Sequence, residues 1–194
     1  NMPGTTLVGQ TFDFNVKISG TFTYNGEEII NGSKDVPITV TAGADAVRYF
    51  FASRAADTQM DFDLDMATKQ SNENPVYYAQ YAHARMCSIL NAASDIEIAD
   101  SFELITHPKE LALCRQLNEF AGVVADAAVT RMPHKMCNYI RALAQNFHSF
   151  YADCKVVDRD NIALSSQRLA LVMAAKSAIK NGLGLLGMNA PEKM

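Results

Sequence analysis

The stretch Ser71–Arg85 reads SNENPVYYAQYAHAR and groups many side chains that end in polar atoms. Three tyrosines, a glutamine, a histidine and an arginine fall within its last nine residues, from Tyr77 to Arg85. The preceding Asn74-Pro75 is a typical helix start, because proline fits the first helical turn. Buried hydroxyl-bearing rings need hydrogen-bond partners, so we expect this helix to lie at a wet interface or at a shared hydrogen-bonded junction.

Helical periodicity continues on the C-terminal side of this stretch. Three helices are predicted to begin at prolines. The first runs from Pro75 to about Ala93, the second begins at Pro108, and the third runs from Pro133 to about Cys154. The second is expected to bury Leu111, Leu117, Phe120, Val124 and Ala128, and the third Met136, Ile140, Leu143, Phe147 and Tyr151. A last helix is predicted from a cap at Ser165 or Ser166 to Lys180, where Gly182, Gly184 and Gly187 are expected to break it.

The N-terminal side has a different pattern. A short helix is predicted over Asp45–Ala55, and Asp61–Asp65 is predicted to be extended or turn-like. Residues 1–43 alternate polar and apolar side chains and contain the turn dipeptide Asn25-Gly26, which predicts an antiparallel sheet of about three strands. The predicted fold is therefore mainly α: an antiparallel bundle of four or five helices with a small N-terminal β appendage.

Composition indicates a folded, cytosolic protein. The 194 residues are 48% hydrophobic, which is enough for a core, and we see no membrane span or secretory leader. The four cysteines are scattered, so reduced thiols are expected and no metal site is predicted. The acidic run at Asp61, Asp63 and Asp65 lacks the glycine and closing glutamate of a calcium loop.

The formal net charge of −4 is distributed unevenly. Residues 1–43 carry −2, residues 44–130 carry −7, and residues 131–194 carry +5. A basic C-terminal third can hold a polyanion, although ordinary surface solubility would also account for it.

Several motifs together resemble the C-terminal part of a bacterial-type arginyl-tRNA synthetase. Asp45–Arg54 (DAVRYFFASR) resembles the segment where class I members of that family leave their catalytic core. MDFDLD at residues 60–65, Ser71–Arg85, NFHSFYADC at residues 146–154 and the ending APEKM follow in the family's order. The resemblance implies a helical DALR-type anticodon-binding domain at residues 71–194, after a connector at residues 44–70 that resembles the end of the catalytic core.

The resemblance implies binding of tRNA for arginine by a cytoplasmic monomer, with the catalytic domain of the same enzyme as its other partner. ATP and magnesium are implied for the full-length ligase, and no cofactor is implied for this chain. A HIGH-type motif is not present, so no catalytic residue is predicted and the chain alone is expected to be inactive. Gly26-Glu27-Glu28-Ile29 with Ser33-Lys34 matches the lysine loop of the family poorly and favours a solvated hairpin end. Residues 1–43 otherwise do not match the family.

Candidate RNA contacts come from two parts of the chain. Tyr77, Tyr78 and Tyr81 are expected either to stack on bases or to wedge their helix against its neighbours. The helices after residue 130 add basic and polar candidates, so the predicted tRNA-binding set is Tyr77, Tyr81, Arg131, His134, Lys135, Arg141, His148, Tyr151, Arg168 and Met194.

Other residues of the stretch are given structural roles. A hydrogen bond from Arg85 to the Asp61–Asp65 loop is favoured over a phosphate contact. His83 and Asp63 are not interpreted as a catalytic pair, because no nucleophile accompanies them.

Two function classes follow from these features. The first is anticodon recognition within an arginine–tRNA ligase. The alternative is a regulatory or assembly protein that reuses the bundle and whose strand Phe12–Ile18 pairs with a partner.

Overall fold

A computed structural model describes the backbone of residues 11–24, 27–41, 43–55, 57–59 and 61–194, and the side chains among these from residue 43 onward. The chain divides into two compact units, Asn1–Ala44 and Asp45–Met194. Within the first unit, β1 (Thr11–Tyr24) and β2 (Glu27–Thr41) pair antiparallel, with a register shift between Phe22 and Thr23. The described residues there form two strands, where about three were predicted. The predicted turn at Asn25-Gly26 lies outside the described residues.

The second unit is helical, which confirms the prediction of a mainly α protein. Its helices are α1 (Ala44–Ala52), α2 (Leu64–Thr68), α3 (Pro75–Ala92), α4 (Pro108–Asn118), α5 (Phe120–Thr130), α6 (His134–Asp153) and α7 (Ile162–Leu185). Within the described part of the chain, no helix is both long and apolar enough to cross a membrane.

Helix α3 begins where the sequence predicted. The side chain of Asn74 accepts a hydrogen bond from the Val76 N–H at 3.2 Å and so satisfies a backbone donor of the first turn. Its amide nitrogen also donates to the backbone oxygen of Lys69 at 2.9 Å, which ties the preceding loop to the helix start. Pro75 occupies the first turn, where its missing N–H costs nothing.

Two of the predicted helices have other boundaries. The helix from Pro108 ends at Asn118, and α5 starts two residues later with no buried residue of its own. Leu111 is exposed rather than part of a buried stripe, and Leu113 is fully buried instead. Helix α7 begins after Asn161, whose side chain accepts from the Leu164 N–H, so neither serine is its cap.

The glycines near the end of α7 do not break it. Helix α7 runs through Gly182 and Gly184 to Leu185, and only Gly187, with φ of 71°, adopts the left-handed conformation that ends it. A Cβ on Gly182 would lie 2.9 Å from Ile140 Cγ1 of α6. Glycine at this position therefore allows the two helices to approach closely.

The core lies where α3, α6 and α7 pack together, with α4 against α6 and α7. Its largest fully buried apolar side chains are Phe147, Phe150, Met86, Leu113, Ile140, Leu143, Leu169, Leu171, Ile179 and Leu183. Each such side chain contributes roughly 1.5–3 kcal/mol through removal of apolar surface from water. The four predicted core positions Met136, Ile140, Leu143 and Phe147 of α6 are all buried, and Tyr151 is half-buried.

A buried ion pair links α4 to α7. Arg168 Nε donates to Glu110 Oε1 at 2.6 Å, and the two side chains are 13% and 1% exposed. The other oxygen of Glu110 accepts from the N–H groups of Thr106 and His107, which caps α4. Arg168 belongs to the predicted tRNA-binding set, but in the structure its guanidinium neutralises a buried carboxylate.

Candidate nucleic-acid interface

Helix α3 carries a row of side chains on one face. Tyr77, Tyr81 and Arg85 are spaced four residues apart, so they lie one above the other along the helix. The rings of Tyr77 and Tyr81 are nearly parallel, with centroids 6.4 Å apart and an angle of 6° between their planes. Tyr81 is 37% exposed, so its ring reaches the surface.

Helix α6 extends this row with two more rings. The imidazole of His148 stacks on Tyr81, with centroids 5.9 Å apart, and also lies 4.9 Å from the ring of Tyr78. Tyr151 follows one helical turn later and stacks against Phe147. We refer to Tyr77, Tyr81, His148 and Tyr151 as the aromatic ridge. The structure thus brings together four of the predicted contacts from two helices that are far apart in sequence.

Arg85 joins the aromatic ridge at its Tyr151 end. Its Nη2 donates to the Tyr151 hydroxyl at 2.9 Å, and its guanidinium lies 4.9 Å from the centroid of that ring. The predicted hydrogen bond to the Asp61–Asp65 loop is wrong, since Asp63 instead caps α2 by accepting from the Met66 N–H. An exposed guanidinium over an aromatic face combines charge and stacking, and both suit nucleotides.

Burial keeps His148 uncharged near neutral pH. Burial first, and then the positive charge of Arg85, lower the pKa of His148 below the ordinary histidine value. Its Nε2 is buried and has no hydrogen-bond partner within the described residues. A neutral ring stacks without the cost of desolvating a charge.

The last residues of the chain lie against α3. Gln80 donates to the backbone oxygen of Asn189 at 2.9 Å, and His83 Nδ1 is 2.9 Å from the backbone oxygen of Pro191. His83 therefore holds the C-terminal segment. Met194 is 53% exposed beyond this anchored segment.

Three predicted contacts lie at the other end of α6. Arg131 ends α5 in the left-handed conformation, with φ of 56°, and His134 and Lys135 begin α6. Lys135 Nζ is 2.7 Å from Asp126 Oδ2, and His134 Nδ1 is buried without a partner within the described residues. At about 1.5 Å of rise per residue, His134 is roughly 20 Å from His148 along the helix. This group is thus separate from the aromatic ridge.

Arg141 occupies the space between these groups. It is seven residues from both His134 and His148, so the three share one face of α6. Arg141 lines a surface cavity beside the start of α3 together with Tyr78 and Gln145.

Ion pairs determine which cations remain available for a polyanion. Within the described residues, ion pairs occupy Lys135, Lys155, Arg159 and Arg168 of the basic C-terminal third. Side chains of that region without an ion pair among the described residues are Arg131, Arg141, Lys176, Lys180 and Lys193. Of the predicted arginines, Arg131 and Arg141 can therefore contact a phosphate without breaking an existing pair.

The sequence-based set omitted two residues of this surface. Arg85 was predicted to form a hydrogen bond with the Asp61–Asp65 loop. Its spacing of four residues from Tyr81, however, places both side chains on one face of the helix. Tyr78 was left out of the set, yet it contacts His148 and lines the cavity. No group of three or more His, Cys, Asp or Glu side chains within the described residues could hold a metal ion.

Comparison with known proteins gives consistent matches. Residues 79–194 match the DALR anticodon binding domain. Arginine–tRNA ligase 2 of Bacillus thuringiensis subsp. konkukian is 49% identical over 156 residues, covering 78% of this chain and 28% of that ligase. Among solved structures, Thermus thermophilus arginyl-tRNA synthetase superposes with a TM-score of 0.67 at 31% identity, covering 77% of this chain and 26% of that one.

One match reaches further toward the N-terminus. The arginine–tRNA ligase of Shouchella clausii is 46% identical over 193 residues, covering 93% of this chain and 35% of the ligase. Residues 44–194 alone could not give that coverage, so the expectation that residues 1–43 do not match is wrong in part. The chain spans 28% to 35% of the length of these curated relatives.

Proposed function

Because the chain belongs to the DALR anticodon-binding domain family, we propose that its helical unit binds the anticodon loop of a tRNA for arginine. The observation that carries this proposal is the aromatic ridge, in which Tyr77, Tyr81 and His148 stack across α3 and α6 and Tyr151 contacts Arg85 at one end. Single-stranded loops are recognised mainly by stacking on such rings and on guanidinium planes.

The contacts divide into two kinds. Unstacked bases of the loop lie on Tyr77, Tyr81, His148 and Tyr151, and Arg85 covers the last of them. Arg131 and Arg141, which have no ion pair within the described residues, hold phosphates along α6 and fix the direction of the RNA. Lys135 contributes charge only after it gives up Asp126, and Met194 contributes from the C-terminal segment that Gln80 and His83 anchor beside α3.

The wider activity belongs to the full-length ligase. There, binding of the anticodon would orient the acceptor end of the tRNA in a catalytic domain that uses ATP and magnesium to form arginyl-tRNA. Residues 44–70 would connect that domain to the anticodon-binding helices at residues 71–194, and residues 1–43 would precede the connector. We expect a cytoplasmic monomer.

A titration of this chain with a fluorescent anticodon stem–loop of tRNA for arginine tests the proposal. We expect tight binding that weakens with salt, and about tenfold loss in Tyr81→Ala, since one stacked base contributes about 1–3 kcal/mol. Phe102→Ala is the matched control, because Phe102 is also an exposed ring but lies outside the aromatic ridge. Equal affinity for a stem–loop with a scrambled loop would contradict the proposal.

The alternative of a regulatory or assembly protein is not favoured, because the family model and the curated relatives, one of which covers 93% of the chain, point to ligases. Light scattering at several concentrations separates the two. A concentration-dependent oligomer that does not bind the stem–loop would favour assembly.

A further inference from the structure

A polar cavity of about 370 Å³ lies beside the aromatic ridge. Its walls come from the loop before α3, from the first turn of α3 and from the middle of α6. The lining residues are Asn72, Glu73, Pro75, Tyr78, Arg141 and Gln145. This volume is within the range of small-ligand pockets, roughly 300–1,000 Å³.

Three of the lining side chains do not take part in the hydrogen bonds and ion pairs that stabilise the fold. Asn72, Arg141 and Gln145 form no side-chain hydrogen bond or ion pair within the described part of the chain, whereas Glu73 pairs with Lys69 at 2.6 Å. Their spacing explains why they converge. Arg141 and Gln145 are one turn apart on α6, and Asn72 precedes the capped start of α3.

The chemistry of the cavity is that of a site for a planar polar ring. Tyr78 and Pro75 supply apolar walls, and the two amides each offer both a donor and an acceptor. Arg141 offers several donors in a fixed plane, while Glu73 offers an acceptor. A bare phosphate would meet the carboxylate of Glu73, so this mixture suits the edge of a nucleobase better.

The cavity also adjoins the aromatic ridge. Its wall residue Tyr78 lies 4.9 Å from His148, and His148 stacks on Tyr81. A strand of RNA that stacks on the ridge therefore passes the cavity mouth, within reach of an adjacent nucleotide.

We propose that this cavity holds one unstacked nucleobase of the bound RNA loop, with Gln145 and Asn72 contacting its edge and Arg141 contacting a ring acceptor or the phosphate beside it. The inference rests on the proposed function, because it assigns a further base-binding site to the same RNA surface.

Stem–loops that carry a single abasic nucleotide at each loop position in turn test this site. In the unmodified protein, we expect abasic substitution at the position that enters the cavity to weaken binding about tenfold. In Gln145→Ala, we expect the affinity for the intact stem–loop to fall by a similar factor. The same abasic substitution should then lower the affinity of this variant by less than about twofold. Abasic costs at ridge positions stay unchanged.

Two control variants test whether the loss of an arginine or a glutamine side chain outside the cavity also changes the abasic profile. Arg115→Ala and Gln59→Ala remove exposed side chains that form no side-chain hydrogen bond within the described residues, and we expect both to keep the full abasic profile. Arg141→Ala should reproduce the Gln145→Ala profile.

The outcomes are distinct. If Gln145→Ala and Arg141→Ala both give the abasic profile of the unmodified protein, no base occupies the cavity and the inference is overturned while the proposed function stands. If the unmodified protein does not distinguish the cognate loop from a scrambled one, the proposed function and this inference are both overturned.

Discussion

Arg85 of α3 and Tyr151 of α6 make two contacts: the Arg85 Nη2 donates to the Tyr151 hydroxyl at 2.9 Å, and the guanidinium lies 4.9 Å from the ring centroid. The pair joins two helices at one end of the aromatic ridge and leaves the other donors of Arg85 free for a ligand. Because the pair is on the surface, its removal should affect RNA binding more than stability.

We expect Arg85→Ala to weaken stem–loop binding about tenfold, because a guanidinium stacked on a base contributes about 0.5–2 kcal/mol. The urea midpoint should change little, since the contact between Arg85 and Tyr151 is exposed. Fluorescence anisotropy and urea unfolding measure the two effects. Arg54→Ala, another exposed arginine, serves as the control and should bind normally. Tyr151→Phe keeps the ring and should lose less affinity than Arg85→Ala. A larger loss in Tyr151→Phe would contradict a direct role for Arg85.

Glu110→Ala should strongly destabilise the helical unit. The change removes the acceptor for two N–H groups at the start of α4 and leaves Arg168 without its buried partner. Breaking a buried ion pair from one side costs about 3–5 kcal/mol, which urea unfolding would detect. The exposed pair Lys69–Glu73 provides the contrast, and Glu73→Gln should leave the free energy of unfolding unchanged. Equal effects of the two substitutions would refute the structural role of Glu110.

Stability should fall as the pH falls below the ordinary histidine pKa of about 6.5. Burial lowers the pKa of both His148 and His83 in the folded protein, so the unfolded chain binds more protons in this range. The contribution is present above the unfolded-state pKa and is lost as the pH drops through the folded-state values. Urea unfolding between about pH 7 and pH 5 should show this slope, and His148→Gln should reduce it. An unchanged slope in both His148→Gln and His83→Gln would exclude these groups as its source.

Two glycines of α7 should respond oppositely to alanine. In Gly182→Ala, the new Cβ would lie 2.9 Å from Ile140 Cγ1, and overpacking of this kind costs typically about 1–3 kcal/mol. In Gly184→Ala, the Cβ meets nothing within 4 Å, so the helix should gain roughly 0.5–1 kcal/mol. Thermal unfolding of the two variants compares them. Ile140→Val removes Cδ1, which would lie 3.1 Å from the new Cβ, so adding it should partly rescue Gly182→Ala. A stabilised Gly182→Ala would show that the helices are not in close contact there.

The sequence was most informative where structure depends on neighbouring residues. Pro75 and Pro133 predict the starts of α3 and α6, because the fit of proline to a first turn is local. The break between α4 and α5 was missed, since the apolar spacing on both sides is helical. Gly182 was interpreted as a helix breaker because its contact with Ile140 depends on tertiary packing.

The same distinction applies to the candidate site. The helical spacing of the tyrosines and the order of the motifs indicated the surface and the family. The partners of Arg85 and Arg168 are 66 and 58 residues away in the chain, so neither pair could be deduced from local patterns. As a result, Arg85 was predicted to contact the wrong partner, and the buried ion pair of Arg168 was not predicted.

The carboxylate of Asp45, in α1, accepts hydrogen bonds from Gln80 Nε2 at 2.8 Å and from the Asn189 N–H at 3.2 Å. The first turn of the helical unit and its last segment are thus joined at one point on α3. The two ends of the unit therefore lie close together, so the packing of its helices does not depend on where the chain begins. A circularly permuted chain, with a short linker between residues 194 and 45 and new ends in an exposed loop, would retain the contacts between its helices.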